Sequence, residues 1–139
     1  METARTIFVT GATANQGGAV ARNLIKQGFK VRALTRHPNS AAAQDLAKLD
    51  IQVVSGDLNQ PQTYSQHLQD VDGIFSVQTF TNGIETEVKQ GIGLVNLAKE
   101  YNIQQFVYSS AVGADLPTGI PHWESKAKIE NHIRRLKLP

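Results

Sequence analysis

The chain has 139 residues, of which 40% are apolar and 19% charged, and its 14 Lys and Arg against 12 Asp and Glu leave a net charge of +2 with no cysteine. This balance excludes a disordered chain, a disulfide framework, thiolate metal sites and cysteine nucleophiles, and it is too nearly neutral to imply nucleic-acid binding. No stretch approaches the roughly 20 apolar residues of a membrane span, and residues 1–5 lack the anatomy of a secretory leader, so a cytoplasmic globular protein is expected.

Taken in order, Ile7-Phe8-Val9 predicts a first strand that ends in Thr10-Gly11. Val20, Ala21, Leu24 and Ile25 then recur at helical spacing, and Gly28 stops that helix. Val31-Arg32-Ala33-Leu34 predicts a second strand, and Pro38 and Asn39 break the chain before a helix over 41–48. Ile51-Gln52-Val53-Val54 predicts a third strand, followed by a helix opening near Pro61, a residue suited to a first helical turn. A fourth strand is expected over 73–77, and Val88, Ile92, Val95 and Ala98 place one apolar stripe on the longest helix. Gln105-Phe106-Val107-Tyr108 predicts the fifth strand, and Ile129, Ile133 and Leu136 mark the inward face of a last helix.

Five short strands without polar alternation, each followed by a helix, predict an α/β fold. The expected form is a doubly wound parallel sheet in strand order 3-2-1-4-5 with helices on both faces, in a single domain over 1–139. The last helix runs out at Leu138-Pro139, where a doubly wound fold enters a sixth strand. A complete five-stranded domain and the first half of a longer protein are both open on this evidence.

The segment Val9-Thr10-Gly11-Ala12-Thr13-Ala14-Asn15-Gln16-Gly17-Gly18 leaves the first strand and opens the first helix. Gly11 suits a sharp turn and Gly17 lets the helix pack closely on the strand, so the first-turn amides face a place for a pyrophosphate. Ala14 stands in the middle position of a Gly-x-x-Gly-x-x-Gly pattern, where its methyl group crowds the approach to phosphate. An ordinary tight strand–helix turn is the alternative. The second strand ends in Leu34-Thr35-Arg36-His37. An Asp or Glu there would grip the ribose 2′-hydroxyl of NAD; Arg36 instead offers a forked cation suited to a 2′-phosphate, which favours NADP(H) over NAD(H). A solvated surface arginine is the competing explanation.

With these residues in view, the chain resembles the NmrA-like family of atypical short-chain dehydrogenases/reductases. The likeness is carried by Gly-Ala-Thr-Ala-Asn-Gln-Gly at 11–17, Thr-Arg-His-Pro at 35–38, Val-Val-Ser-Gly-Asp-Leu at 53–58, Glu-Val-Lys-Gln-Gly at 87–91, Phe-Val-Tyr-Ser-Ser at 106–110 and His-Trp-Glu-Ser-Lys at 122–126. The resemblance implies a Rossmann-type domain that binds NAD(P) and lacks the C-terminal half of the family. It implies that Gly11, Thr13, Ala14, Asn15, Gln16 and Gly17 contact the pyrophosphate and Arg36 the adenosine phosphate. Asp57 and Leu58 then border the adenine, and Gln78, Thr79 and Phe80 run beside the nicotinamide ribose. Taken alone, Asp57 is equally a turn residue and Thr79 a loop hydroxyl.

The dehydrogenase relatives use Tyr-x-x-x-Lys, in which tyrosine moves a proton and lysine holds the cofactor ribose. Here Lys126 occupies the lysine position but His122 stands four residues earlier. The hydroxyl that steadies a substrate falls near Ala111, with Ser110 its neighbour and a candidate for the cofactor site. His122 is suited to acid–base work, but a helix-start histidine with no proton to move is the preferred reading. The remaining histidines show no metal-ligand spacing, so no metal is expected. Three functions follow: a dinucleotide-binding module with a redox-sensing or regulatory use, acting through a protein partner or self-association; an NADPH-dependent reductase of quinones or related carbonyl compounds; and an empty scaffold in which Ala14 has ended cofactor binding. None requires nucleic acid or a membrane.

Overall fold

The computed structural model describes residues 4–78, 83–110 and 121–139, with side chains of the last segment described from 124 onward. Five strands, β1 (Thr6–Val9), β2 (Lys30–Thr35), β3 (Gln52–Ser55), β4 (Gly73–Ser76) and β5 (Gln105–Tyr108), form one sheet in the order β3-β2-β1-β4-β5. Every pairing is parallel, with Val9 opposite Ala33 and Phe75 and with Ser76 opposite Tyr108. Among the described residues four α-helices connect or follow the strands: α1 (Asn15–Lys26), α2 (Ala41–Ala47), α3 (Ile84–Glu100) and α4 (Pro121–Leu136). The order read from the sequence is the one observed. Among the described residues no helix is long and apolar enough to cross a membrane.

Strand alternation explains the two-sided wrapping. Successive side chains point to opposite faces, and the neighbours Phe8 and Val9 enter different cores, as do Leu34 and Ala33 and as do Ile74 and Phe75. Phe8, Leu34 and Ile74 pack with Tyr64, Leu94, Val95, Ala98 and Ile129. Val9, Ala33 and Phe75 pack with Ala21 of α1 and Leu46 of α2. Small residues on the second face let α1 and α2 lie close, whereas the first face holds the larger aromatic and branched side chains.

The helix expected near Pro61 is not an α-helix. The segment forms two 3-10 turns, Pro61–Thr63 and Ser65–Leu68. Only Tyr64 and Leu68 of this stretch are fully buried, so there is no apolar face long enough to sustain a helix. The Thr63 hydroxyl instead donates to the Gln60 carbonyl at 2.7 Å and accepts from the Asp57 amide at 2.8 Å, diverting backbone groups into local turns. Tyr64 anchors the segment by stacking on Phe8 with ring centroids 5.9 Å apart.

The stripe on α3 is also displaced from expectation. Its buried positions are Glu87, Gly91, Leu94, Val95 and Ala98, while Val88 and Ile92 are half-buried beside α4. Val95 and Ala98 are buried as expected, but apolarity placed the first two positions of the stripe one residue late, because the residues that open it are Glu87 and Gly91.

Gly17 is the tightest point of the fold. A Cβ there would lie 2.2 Å from the Gly11 carbonyl oxygen and 2.6 Å from that of Thr10. Both obstacles are backbone, so neither can swing aside. Gly17→Ala is therefore expected to destabilise the protein by about 3 kcal/mol or more, read as a lowered urea midpoint at unchanged slope; a midpoint like that of the unmodified protein would refute this account.

Candidate functional site

The carboxyl ends of β1 and β4 lie side by side, and the chain leaves them for α1 and α3 on opposite faces, which makes this the switch point of the sheet. Thr10 binds the two ends together. Its amide donates to the Phe75 carbonyl at 3.1 Å, its hydroxyl accepts from the Val77 amide at 2.8 Å, and that hydroxyl donates to the Val77 carbonyl at 3.0 Å. Gly11 follows with φ of 64°, the left-handed turn that glycine permits. A Cβ at Gly11 would also meet the Val77 side chain at 2.9 Å.

This turn aims the amino end of α1 over the crevice. Ala14 is the cap residue and offers no side-chain acceptor to the first-turn amides. Those of Asn15, Gln16 and Gly17 have no partner within the helix, and together with the positive end of the helix dipole they form an anion-binding surface. Ala14 itself has extended backbone, φ −103° and ψ −179°, so its conformation does not require glycine. Thr13, Ala14, Asn15 and Gln16 are exposed, while Gly17 is buried against β1. The Gln16 side-chain amide donates to the Ser109 hydroxyl at 2.8 Å, spanning from α1 to the end of β5.

Beside this turn lies a groove of about 260 Å³ lined by Gly11, Thr13, Ala14, Arg36, Asp57 and Leu58, with Thr35 and Gln90. Six of the residues proposed for a cofactor therefore meet in one place. The Thr35 hydroxyl accepts from the His37 amide at 3.0 Å, and Arg36 is exposed with no ion pair among the described residues. Asp57 is a turn residue as well as a groove residue, since its carboxylate accepts from the Asn59 amide at 2.9 Å. Gln90, which only a family likeness had touched, reaches across from α3 and donates to Asn59 at 2.8 Å. A larger depression of about 1100 Å³ sits at the other end of the sheet among Arg5, Lys30, Asp50, Asp70 and Asp72. It lies at the amino ends of the strands, away from the α1 amides, and is not the site this fold builds.

A second group of residues gathers beyond β4. Lys126 of α4 is mostly sheltered, and its ammonium lies 3.0 Å from Oε1 of Glu87, whose side chain is fully buried. The same ammonium approaches the Gln78 carbonyl at 3.5 Å and stands 5.9 Å from the centre of the Tyr108 ring. Gln78 donates to the Ser76 hydroxyl at 2.7 Å. The side-chain oxygen of Gln78 and the hydroxyls of Tyr108 and Ser110 are buried with no hydrogen-bond partner among the described residues. Burial first, then the carboxylates of Glu87 and Glu130, push the Tyr108 hydroxyl far above its ordinary value, so it is a neutral donor at physiological pH.

The structure thus gathers Gly11, Thr13, Ala14, Arg36, Asp57 and Leu58 at one end and Gln78 and Lys126 at the other. Asn15, Gln16 and Gly17 lie in the first turn of α1, and Ser110 lies just beyond β5. Thr79, Phe80, position 111 and the side chains of His122 and Trp123 lie outside the described residues. Glu87 was missed. The signal was present in the periodicity: the buried series 91, 94, 95, 98, extended back one helical turn, lands on Glu87.

These features define a doubly wound α/β protein whose candidate ligand crevice lies at the switch point. The chain belongs to the NmrA-like family, whose model matches residues 3–139. It is 37% identical over 142 residues to an NmrA-like family domain-containing oxidoreductase of Aspergillus hancockii, an alignment covering 95% of this chain and 42% of that protein. It is 32% identical over 136 residues to an NmrA-like family domain-containing protein of Dictyostelium discoideum, covering 94% and 45%. Among solved structures it is similar to NmrA, a negative transcriptional regulator, in complex with NADP, with a TM-score of 0.86 at 27% identity over 99% of this chain and 44% of that one. The chain spans less than half the length of these relatives.

The bare cap at Ala14 makes a direct prediction. Ala14→Asp supplies an acceptor to the free amides and a negative charge to the helix start, and should raise stability by about 1 kcal/mol, measured as a higher urea midpoint.

Proposed function

We propose that the chain is the dinucleotide-binding part of an NmrA-like protein that prefers NADP(H) and serves a redox-sensing or regulatory role. One observation carries the reading: the second strand ends in Thr35-Arg36, without a carboxylate to grip a ribose 2′-hydroxyl, and Arg36, with no ion pair among the described residues, borders the groove beside the amino end of α1, where Ala14 offers no side-chain cap. The α1 amides and the left-handed turn at Gly11 suit a diphosphate, Arg36 suits a 2′-phosphate, and Asp57 and Leu58 border the adenine. Gln78, Thr79 and Phe80 would follow the nicotinamide-side ribose, with Lys126 donating to its hydroxyls and Ser110 closing the β5 side. The likeness to a regulator solved with NADP supports this assignment.

In the sensing reading, the oxidised and reduced cofactors differ in affinity for two arrangements of the loops after β4 and β5, and that difference is passed to a protein partner or a second subunit. A reductase of quinones or related carbonyl compounds is the second reading, favoured by the sheltered Lys126 and by the likeness to an oxidoreductase. In that case the cofactor supplies hydride, Lys126 orients its ribose, and His122 or solvent supplies the proton.

Titration with NADPH and NADH tests the proposal. NADPH is expected to bind roughly tenfold or more tightly, and Arg36→Ala to remove most of that preference. Ala14→Asp should weaken both cofactors even while it stabilises the fold. Equal affinity for NADPH and NADH in the unmodified protein overturns the assignment of Arg36. Steady oxidation of NADPH by a quinone, lost in Lys126→Gln, would select the reductase over the sensor.

A further inference from the structure

We propose that Glu87 is a positioning residue: its buried carboxylate fixes the Lys126 ammonium at the nicotinamide end of the crevice, so that the two residues bind cofactor as one unit. The inference rests on the dinucleotide reading above and extends it to a residue that does not line the groove beside Gly11 and Arg36. The geometry begins at Gly91, where a Cβ would lie 2.5 Å from Cδ1 of Ile129 and 3.2 Å from the side-chain oxygen of Gln78. This bare position lets α3 and α4 cross at close range. Glu87 lies one helical turn before Gly91, and Lys126 lies three residues before Ile129, so the same crossing sets their side chains together. The result is a 3.0 Å pair with the carboxylate fully buried and the lysine side chain 13% exposed.

Fold stability gives no reason for such a pair. Two charges lose their hydration on burial, and apolar residues of similar size hold two helices together as well or better. What the pair supplies is a fixed cation. A lysine alone carries a point charge on a flexible four-carbon stem, and ordering that stem opposes every hydrogen bond it makes. Here Glu87 orders it in advance. The ammonium has three donors; it lies 3.0 Å from Glu87, whose buried carboxylate oxygens have no hydrogen-bond partner among the described residues, and the Gln78 carbonyl at 3.5 Å is too distant for a strong bond. Donors therefore remain for ligand hydroxyls, and Tyr108 walls the lysine with its ring. Among the described residues no other cation pairs with Glu87.

The test uses the full chain and two probes: NADPH, which spans the crevice, and adenosine 2′,5′-bisphosphate, which carries only the adenosine end. Calorimetric titration of Glu87→Gln should show NADPH weakened about tenfold and the bisphosphate unchanged. Lys126→Gln should give the same loss, and the double variant no greater loss than either single one. Unchanged NADPH affinity in Glu87→Gln overturns the proposal, and so does equal weakening of both probes, the mark of a purely structural role. Failure of the unmodified protein to bind either probe overturns the dinucleotide reading itself and the proposal with it. Should Glu87→Gln not fold, the apolar pair Glu87→Met/Lys126→Met takes its place. It is expected to stay folded, to bind the bisphosphate normally and to lose about tenfold in NADPH affinity; normal NADPH affinity in it overturns the proposal.

Discussion

The candidate site depends on one contact, the seat of α1 against the carbonyls of Thr10 and Gly11. A helix can approach a strand end this closely only where it presents no side chain, and Gly17 meets that condition. The approach determines where the first-turn amides point. Because Thr10 also ties the end of β1 to the chain leaving β4, the helix start is registered against both strands of the switch point at once. A looser seat would leave the same amides on the helix but aim them at solvent. The arrangement fixes backbone donors by steric exclusion, in a loop without a single charged side chain between residues 10 and 18.

The crevice has two ends of different character. The end proposed for the adenosine is open and shaped by turns: Asp57, Asn59, Thr63 and Gln90 hold one another through short hydrogen bonds, and Arg36 is exposed at the rim. The other end is sheltered and holds polar atoms that are unmet among the described residues, those of Gln78, Tyr108 and Ser110 and the carboxylate oxygens of Glu87, which lies in an ion pair with Lys126. Exposed charge tolerates exchange of ligand and solvent, whereas buried polar groups without partners are costly and are retained where something satisfies them. The contrast suits a ligand recognised by its phosphate at one end and held in a defined orientation at the other.

The close crossing of α3 and α4 is the second structural constraint, and it repeats the device of the first. A glycine, Gly91, admits a neighbour, here Ile129, at a distance no Cβ would allow. In each case a glycine on one element sets the position of functional groups one turn away, the amides of α1 in one instance and Glu87 with Lys126 in the other. Family likeness extends over nearly the whole chain, yet the chain spans under half the length of the relatives it matches.

By itself the sequence determined the five-strand parallel sheet and its order, since short apolar runs alternating with helical periodicity leave few other packings. It also determined the turn at Gly11 and the close packing at Gly17, because glycine at those points has a conformational or steric meaning that is local. The 3-10 turns after β3 were not legible: Pro61 signals a helix start, but the outcome depended on how little of that segment the core could bury. Glu87 escaped notice for a related reason. A glutamate on a helix reads as solvent-facing until a second helix, 39 positions onward at Lys126, closes over it with a matching charge. Local conformation follows from residue type and spacing, and the chain alone states it. Which charges are buried together depends on contacts between distant segments, and only the folded arrangement of α3 against α4 decided that.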